Sequence, residues 1–284
     1  MRGQIFNGWR FITAGLICLV SVFAVPACAE SIPESSSKVF TVGVVPQYDV
    51  RRIHAVWRPI LDEMEKRTGF TFVLRGAATI PAFERDLAVG EFDIAYVNPY
   101  QVVRVGERQG YQPLLRDATD LYGILVVPSN SSIQSVLELK DQAVAFPAPN
   151  ALGATLLMRA ELFDRFGIEV VPKYVQSHSS VYLNVALQET IAGGGVQKTL
   201  NQQSEELQGA LRVLYKTETV PSHPLVVHPH VPVSIQSQLS KVMLELGQEP
   251  HGRELFSLVP ITELRPAFTK EYLRLGEMGL ERFQ

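Results

Sequence analysis

Between Val39 and Gln109 the chain alternates short apolar runs with segments of helical period. The connections are so short that the fold must be built on parallel strands. Val39 to Val45 predicts a strand that stops at Pro46. Arg52 to Thr68 predicts a helix with an apolar stripe at Ile53, Val56, Trp57, Ile60, Leu61 and Met64, closed by Gly69. Phe70 to Leu74 reads as a strand, Ile80 to Val89 as a helix ended by Gly90, and Phe92 to Val97 as a third strand. A helix over Gln101 to Gln109 follows. The rhythm then restarts. Strands are expected at Gly123–Pro128, Ala143–Phe146, Val170–Val175 and Leu211–Lys216. Helices are expected at Ser135–Lys140, about Ala154 to Phe166, and Val181–Ile191. The reading is α/β, in two lobes with a mostly parallel sheet in each. Lobe 1 takes 39–122 plus 223–284, and lobe 2 takes 123–222. Val220 to His228 is broken by prolines and reads as the return crossing. The helical end, Ser234–Gln248 and Lys270–Phe283, packs back on the first unit.

The first 29 residues stand apart. Arg2 and Arg10 precede an apolar stretch, Phe11 to Val25, and Ala27-Cys28-Ala29 is a small-x-small cleavage signal. This predicts a secretory leader cut after Ala29 and a periplasmic protein tethered by the polar 30–38. The rival reading is a lipoprotein anchored through Cys28. Both cysteines, Cys18 and Cys28, lie in the leader. The cut chain then has no disulfide, no thiolate metal site and no cysteine nucleophile. Losing two arginines takes the net charge from −3 to about −5, and no basic run appears, so nucleic acid is not expected as a partner.

In open α/β sheets, ligands sit beyond the carboxyl ends of the parallel strands. Here those ends are Pro46-Gln47-Tyr48, Asn98-Pro99-Tyr100 and Pro147 to Gly153. The last is a strand, a Pro-Asn-Gly turn and a helix start. That arrangement aims backbone N–H groups at one point without a side-chain acid or base. Gly153, Ala154 and Thr155 are the expected donors.

These segments, with Ser177-His178 and Gly193-Gly194-Gly195-Val196, resemble the phosphate, phosphite and phosphonate family of periplasmic substrate-binding proteins of ABC transporters. The resemblance runs from about Val39 to the C-terminal helices. It implies a type II clamshell closing over an oxyanion, with a permease as partner. By position it makes Tyr48 and Tyr100 pocket aromatics and His178 the pocket histidine. Asn150, Ala151 and Leu152 stand where phosphonate binders place a Ser-Thr-Ser run. Ala192 stands where many carry an acid that reads a ligand amine. Losing three hydroxyls removes donors that a dianion needs. Losing the acid argues against an aminoalkylphosphonate.

Other residues carry groups capable of chemistry. Lys198, after the glycines, is a candidate counter-charge, ahead of Arg51 and Arg52 on a helix face. His223, His228 and His230 form His-Pro-x-x-x-His-Pro-His, but the prolines keep the stretch extended, so no metal site is expected. Ser177-His178 lacks a Gly-x-Ser-x-Gly elbow, so no enzyme is expected. The sequence therefore points to a monomeric receptor that needs no cofactor. It would take a small anion to an ABC permease or, alternatively, to a membrane sensor kinase. The ligand residues would be Tyr48, Tyr100, Asn150, Gly153, Ala154, Thr155, His178 and Lys198.

Overall fold

The computed structural model describes residues 38–259 and 261–284. The leader, and all of the tether but Lys38, lie outside the described residues. Strand β1 (Val39–Val44) leads into α1 (Val50–Thr68), β2 (Thr71–Arg75), α2 (Ile80–Ala88), β3 (Ile94–Tyr96), α3 (Pro99–Gln109) and β4 (Gln112–Asp117). The chain then crosses into β5 (Gly123–Pro128), β6 (Ala143–Phe146), α4 (Met158–Phe166), β7 (Val171–Tyr174), α5 (His178–Ala186), β8 (Ala192–Val196), α6 (Gln197–Asn201), α7 (Glu205–Gly209) and β9 (Leu211–Lys216). It returns through β10 (Pro224–Val227), α8 (Val233–Gln248), α9 (Pro250–Leu258), β11 (Leu264–Pro266) and α10 (Leu273–Glu277).

The result is a two-lobed α/β fold with a sheet in each lobe. The first sheet has the order β11-β4-β10-β3-β1-β2, and the second β7-β6-β8-β5-β9. Each has a parallel core of three strands, β2-β1-β3 and β7-β6-β8. Antiparallel strands complete both, which makes the sheets mixed. The expected return crossing therefore ends in a strand: β10 enters the first sheet beside β3 in the opposite direction. Leu121 and Val220 bond to each other's backbone through two N–H···O contacts of 2.8 Å, so the outgoing and returning crossings run side by side.

Local chemistry sets the element ends. The Asp49 carboxylate accepts from the N–H groups of Arg51 and Arg52, so α1 begins ahead of the expected Arg52. Gly69, at φ +73°, ends it in the left-handed conformation. Ile53, Trp57, Ile60, Leu61 and Met64 on its inner face are buried. Helices α8 and α9 pack on α1, and α10 packs on α3.

The glycine triplet departs from its expected role. Rather than turning after a long helix, Gly193 to Gly195 form the middle of β8, between β6 and β5. Helix α5 stops at Ala186 to allow this. A Cβ on Gly193 would stand 2.6 Å from Val181 Cγ1. One on Gly194 would stand 2.2 Å from the Ala154 carbonyl oxygen and 2.4 Å from the Phe146 ring. One on Gly195 would stand 2.4 Å from the Tyr182 hydroxyl. The strand is made of glycine because helices press on both its faces.

Candidate functional site

The carboxyl ends of the parallel strands of both sheets converge on one small cavity. Val45 and Gln47 follow β1, and Asn98 follows β3. Ala151, Leu152, Gly153 and Ala154 lie beyond β6, His178 opens α5 after β7, and Val196 ends β8. Ile80, the first residue of α2, and His223, just before β10, complete the wall. The cavity measures about 20 Å³, room for about one water.

The polar groups around it are donors and neutral rings. Leu152 to Leu157 are wound as a π-helix that runs straight into α4. The helical turns therefore begin at Leu152, two residues before the expected start at Ala154. The N–H groups of Thr155 and Leu156 both reach the Ala151 carbonyl, at 2.8 and 3.1 Å. Those of Leu152, Gly153 and Ala154 lead the helix and have no carbonyl behind them within it. His178 is buried, and its Nδ1 has no hydrogen-bond partner. Burial pulls that imidazole down to about 4, so it is neutral at pH 7. His223 is pulled down to about 3 by burial, with smaller contributions from Lys198 and His178. Its Nε2 lies 3.3 Å from Gln47 Nε2, an amide N–H meeting a bare ring nitrogen. Its ring stacks on Tyr96 at 5.5 Å between centroids. Asn98 ties the lobes, its Nδ2 donating to the Asn150 carbonyl at 3.0 Å. No lining residue carries a charged side chain.

Of the residues expected from sequence, the structure brings Gly153, Ala154 and His178 to this cavity, and the others are not in its wall. Thr155 donates its hydroxyl to the Ala148 carbonyl at 2.7 Å and stabilises the turn. The Tyr48 hydroxyl donates across the lobe seam to Gln202, and Arg52 lies 4.0 Å over its ring. Tyr100 donates to Glu281 at 3.3 Å. Lys198 is paired with Asp117. Asn150 turns the other way: its Nδ2 donates to Glu84, its Oδ1 is buried without a partner, and it lines a neighbouring cavity of about 290 Å³ with Gln101, Arg104 and Arg108. Val196, rather than Ala192, is the β8 residue at the cavity. Among the described residues the three clustered histidines do not all meet: the rings of His228 and His230 lie 4.2 Å apart, and His223 stands away from them. His223 is at the cavity, His228 packs edge-on against Tyr111, and His230 meets Asp93.

Sequence reasoning passed over Gln47, Asn98 and His223 as site residues. The signal was present for two of them, since Gln47 and Asn98 are polar residues placed just past an apolar strand.

The profile of a family described as "ABC transporter, phosphonate, periplasmic substrate-binding protein" matches residues 42–272. The chain belongs to this family. Its members are periplasmic and serve transport by binding substrate. Solved structures agree on the fold. A binding protein component of an ABC phosphonate transporter from Pseudomonas aeruginosa is 15% identical, with a TM-score of 0.77 over 87% of this chain and 88% of that one. PhnD1 from Prochlorococcus marinus, solved in complex with methylphosphonate, is 15% identical, with a TM-score of 0.78 over 86% and 98%. XAC2383 from Xanthomonas citri, bound to a chloride ion, is 20% identical, with a TM-score of 0.70 over 87% and 99%. A search of curated protein sequences finds no match. Among the described residues no helix is long and apolar enough to cross a membrane.

Proposed function

We propose that this chain captures a small oxyanion of the phosphonate, phosphite or phosphate class between its lobes and presents the closed form to an ABC permease. The observation that carries the reading is the convergence of both sheets on one buried cavity. There the leading N–H groups of Leu152, Gly153 and Ala154 meet a histidine nitrogen without a partner. A ligand touching both lobes stabilises the closed state over the open one. The lobes are 39–122 with 223–284, and 123–222, and they part about the paired crossings. The closed cavity has room for about one water, so an oxyanion enters only with the lobes apart and leaves them slightly wider when bound. Removal of the leader after Ala29 would deliver the chain to the periplasm as a monomer, and N-terminal sequencing of the secreted form should begin at Glu30.

A thermal-shift panel tests the reading. Phosphate, phosphite, methylphosphonate, aminoethylphosphonate, sulfate and several carboxylates would each be added to the secreted form. A ligand at about 100 times its Kd adds about 2.7 kcal/mol, which is readily seen. A shift with a phosphorus oxyanion is expected, and a flat panel refutes the reading.

A further inference from the structure

The charge of the cavity restricts the protonation state of what it can hold. This step rests on the proposed reading of the site as an oxyanion cavity. The wall contains no lysine, arginine, aspartate or glutamate. Charged groups around it are held by other partners: buried Arg116, which reaches Ser222 beside His223, pairs with Asp120 and Glu271. Lys198, which acts on His223, is held by Asp117 and by the Thr119 carbonyl at 3.2 Å. On the Asn150 side, Glu84 accepts from Gln101 and Asn150. Tyr96 stacks on His223, and Tyr48 donates to Gln202, so neither offers a charge to the cavity. His178 and His223 face each other's field as neutral rings.

The cost of removing an ion from water rises with the square of its charge. A dianion therefore costs roughly four times what a monoanion does in the same enclosed space. A helix start offers only about half a positive charge, enough to answer one negative charge in part. A neutral imidazole adds one N–H donor and one bare nitrogen. The unpartnered Nδ1 of His178 can meet a ligand oxygen as a donor, or accept from a ligand O–H, but a neutral ring brings no charge to balance a second negative charge.

We infer that this cavity takes its oxyanion as a proton-bearing monoanion, the extra proton staying on the ligand because the wall holds no charge to replace it. No bond other than O–H or N–H is made or broken. When the free ligand is a dianion, one proton is taken from solvent for each ligand bound. Oxyanions that cannot hold that proton near neutral pH, sulfate above all, are excluded.

The test is titration calorimetry of the secreted protein with methylphosphonate and with phosphite, across the last ionisation of each ligand. Each pH is run in two buffers of different ionisation enthalpy. Affinity is expected to fall about tenfold per pH unit above the ligand's last pKa, with uptake of about one proton per ligand there and none below. Sulfate is expected to show no binding at any pH. Affinity that is flat or rising with pH, absence of proton uptake, or sulfate binding of comparable strength would each overturn the inference while leaving the oxyanion reading standing. Failure of both phosphorus ligands to bind at every pH would overturn the reading beneath it.

Discussion

Replacing Glu84 by glutamine should stabilise the protein at alkaline pH. Glu84 projects from α2 at the lobe seam, where its two carboxylate oxygens accept from Gln101 Nε2 and Asn150 Nδ2. Burial pushes the carboxyl up, and the two amides and Arg104 pull it back only part of the way, leaving it at about 7 against an ordinary 4.5. Between those values the native state holds a proton that the unfolded chain has lost. Stability therefore falls as pH rises through that window, and the full cost is present above about 7. At 1.36 kcal/mol per pH unit, the step from 4.5 to about 7 corresponds to a ceiling of about 3 kcal/mol. Glutamine keeps one acceptor for Asn150, and Gln101 can turn its amide to accept from the new one. The exchange of charge-assisted for neutral hydrogen bonds returns about 1 kcal/mol of that. A net gain of about 2 kcal/mol is expected near pH 8, or roughly 4–8 °C in Tm for a chain of this size. The gain should shrink steadily as pH falls through that window and vanish about one unit below 4.5, where the wild-type carboxyl is protonated in both states. Thermal and urea unfolding of Glu84→Gln beside the wild type at both ends of the range measures it. Equal stability near pH 8, or a less stable variant there, would refute the reasoning.

Three other substitutions test separate parts of the structure. Gly194→Ala drives a methyl against the Ala154 carbonyl and the Phe146 ring and should cost at least about 2 kcal/mol, read as a lower urea midpoint. Lys198→Met strips the cation from buried Asp117. Burial pushes that carboxyl up, while Lys198, Glu263 and Thr262 outweigh it and hold it below the usual range. That stability is present above the ordinary value and lost as pH falls through the depressed one. The variant should lose about 3 kcal/mol at neutral pH and unfold at a higher pH on acid titration. His178→Ala should weaken oxyanion binding by about 10- to 100-fold, the cost of an unsatisfied partner. Its effect on the unfolding of the free protein should be that of lost packing alone, because Nδ1 has no protein partner to lose.

The part of the fold governed by local pattern was legible in the sequence. The apolar stripe of α1 and the strand–helix alternation of both lobes depend on residues a few positions apart, and periodicity reports them. The glycine strand β8 was not legible, because glycines carry no alternation to read. Their presence is explained by Phe146, Val181 and Tyr182 pressing in from elsewhere in the chain. Strand β10 was hidden by Pro221 and Pro224, although a proline as the first residue of a strand costs it no required N–H. The site divided the same way. Strand-end loops follow from α/β geometry, so Gly153 and Ala154 could be named from it, whereas His178 came from its position in the family resemblance. Whether Tyr48 or Gln47 faces the cavity depends on how two lobes meet, and residues 151–154 and 223 come from opposite sides of that seam. Asn150 and Ala151 are adjacent in sequence, yet Asn150 faces Glu84 and Ala151 lines the cavity.

The bonded pair at Leu121 and Val220 makes the two crossings a single ribbon rather than two independent strings. Such a ribbon flexes across its width but resists sliding one strand past the other, since sliding would break both 2.8 Å bonds. Under the proposed opening of the lobes, motion between them is thereby reduced to one coordinate, an angle. His223 lies three residues from Val220, within about 10 Å along the chain, so the cavity sits close to the pivot. A short lever arm converts a small change of spacing at the ligand into a wide swing at distant parts of the lobes. A modest molecule can in this way report its presence to a partner that never touches it.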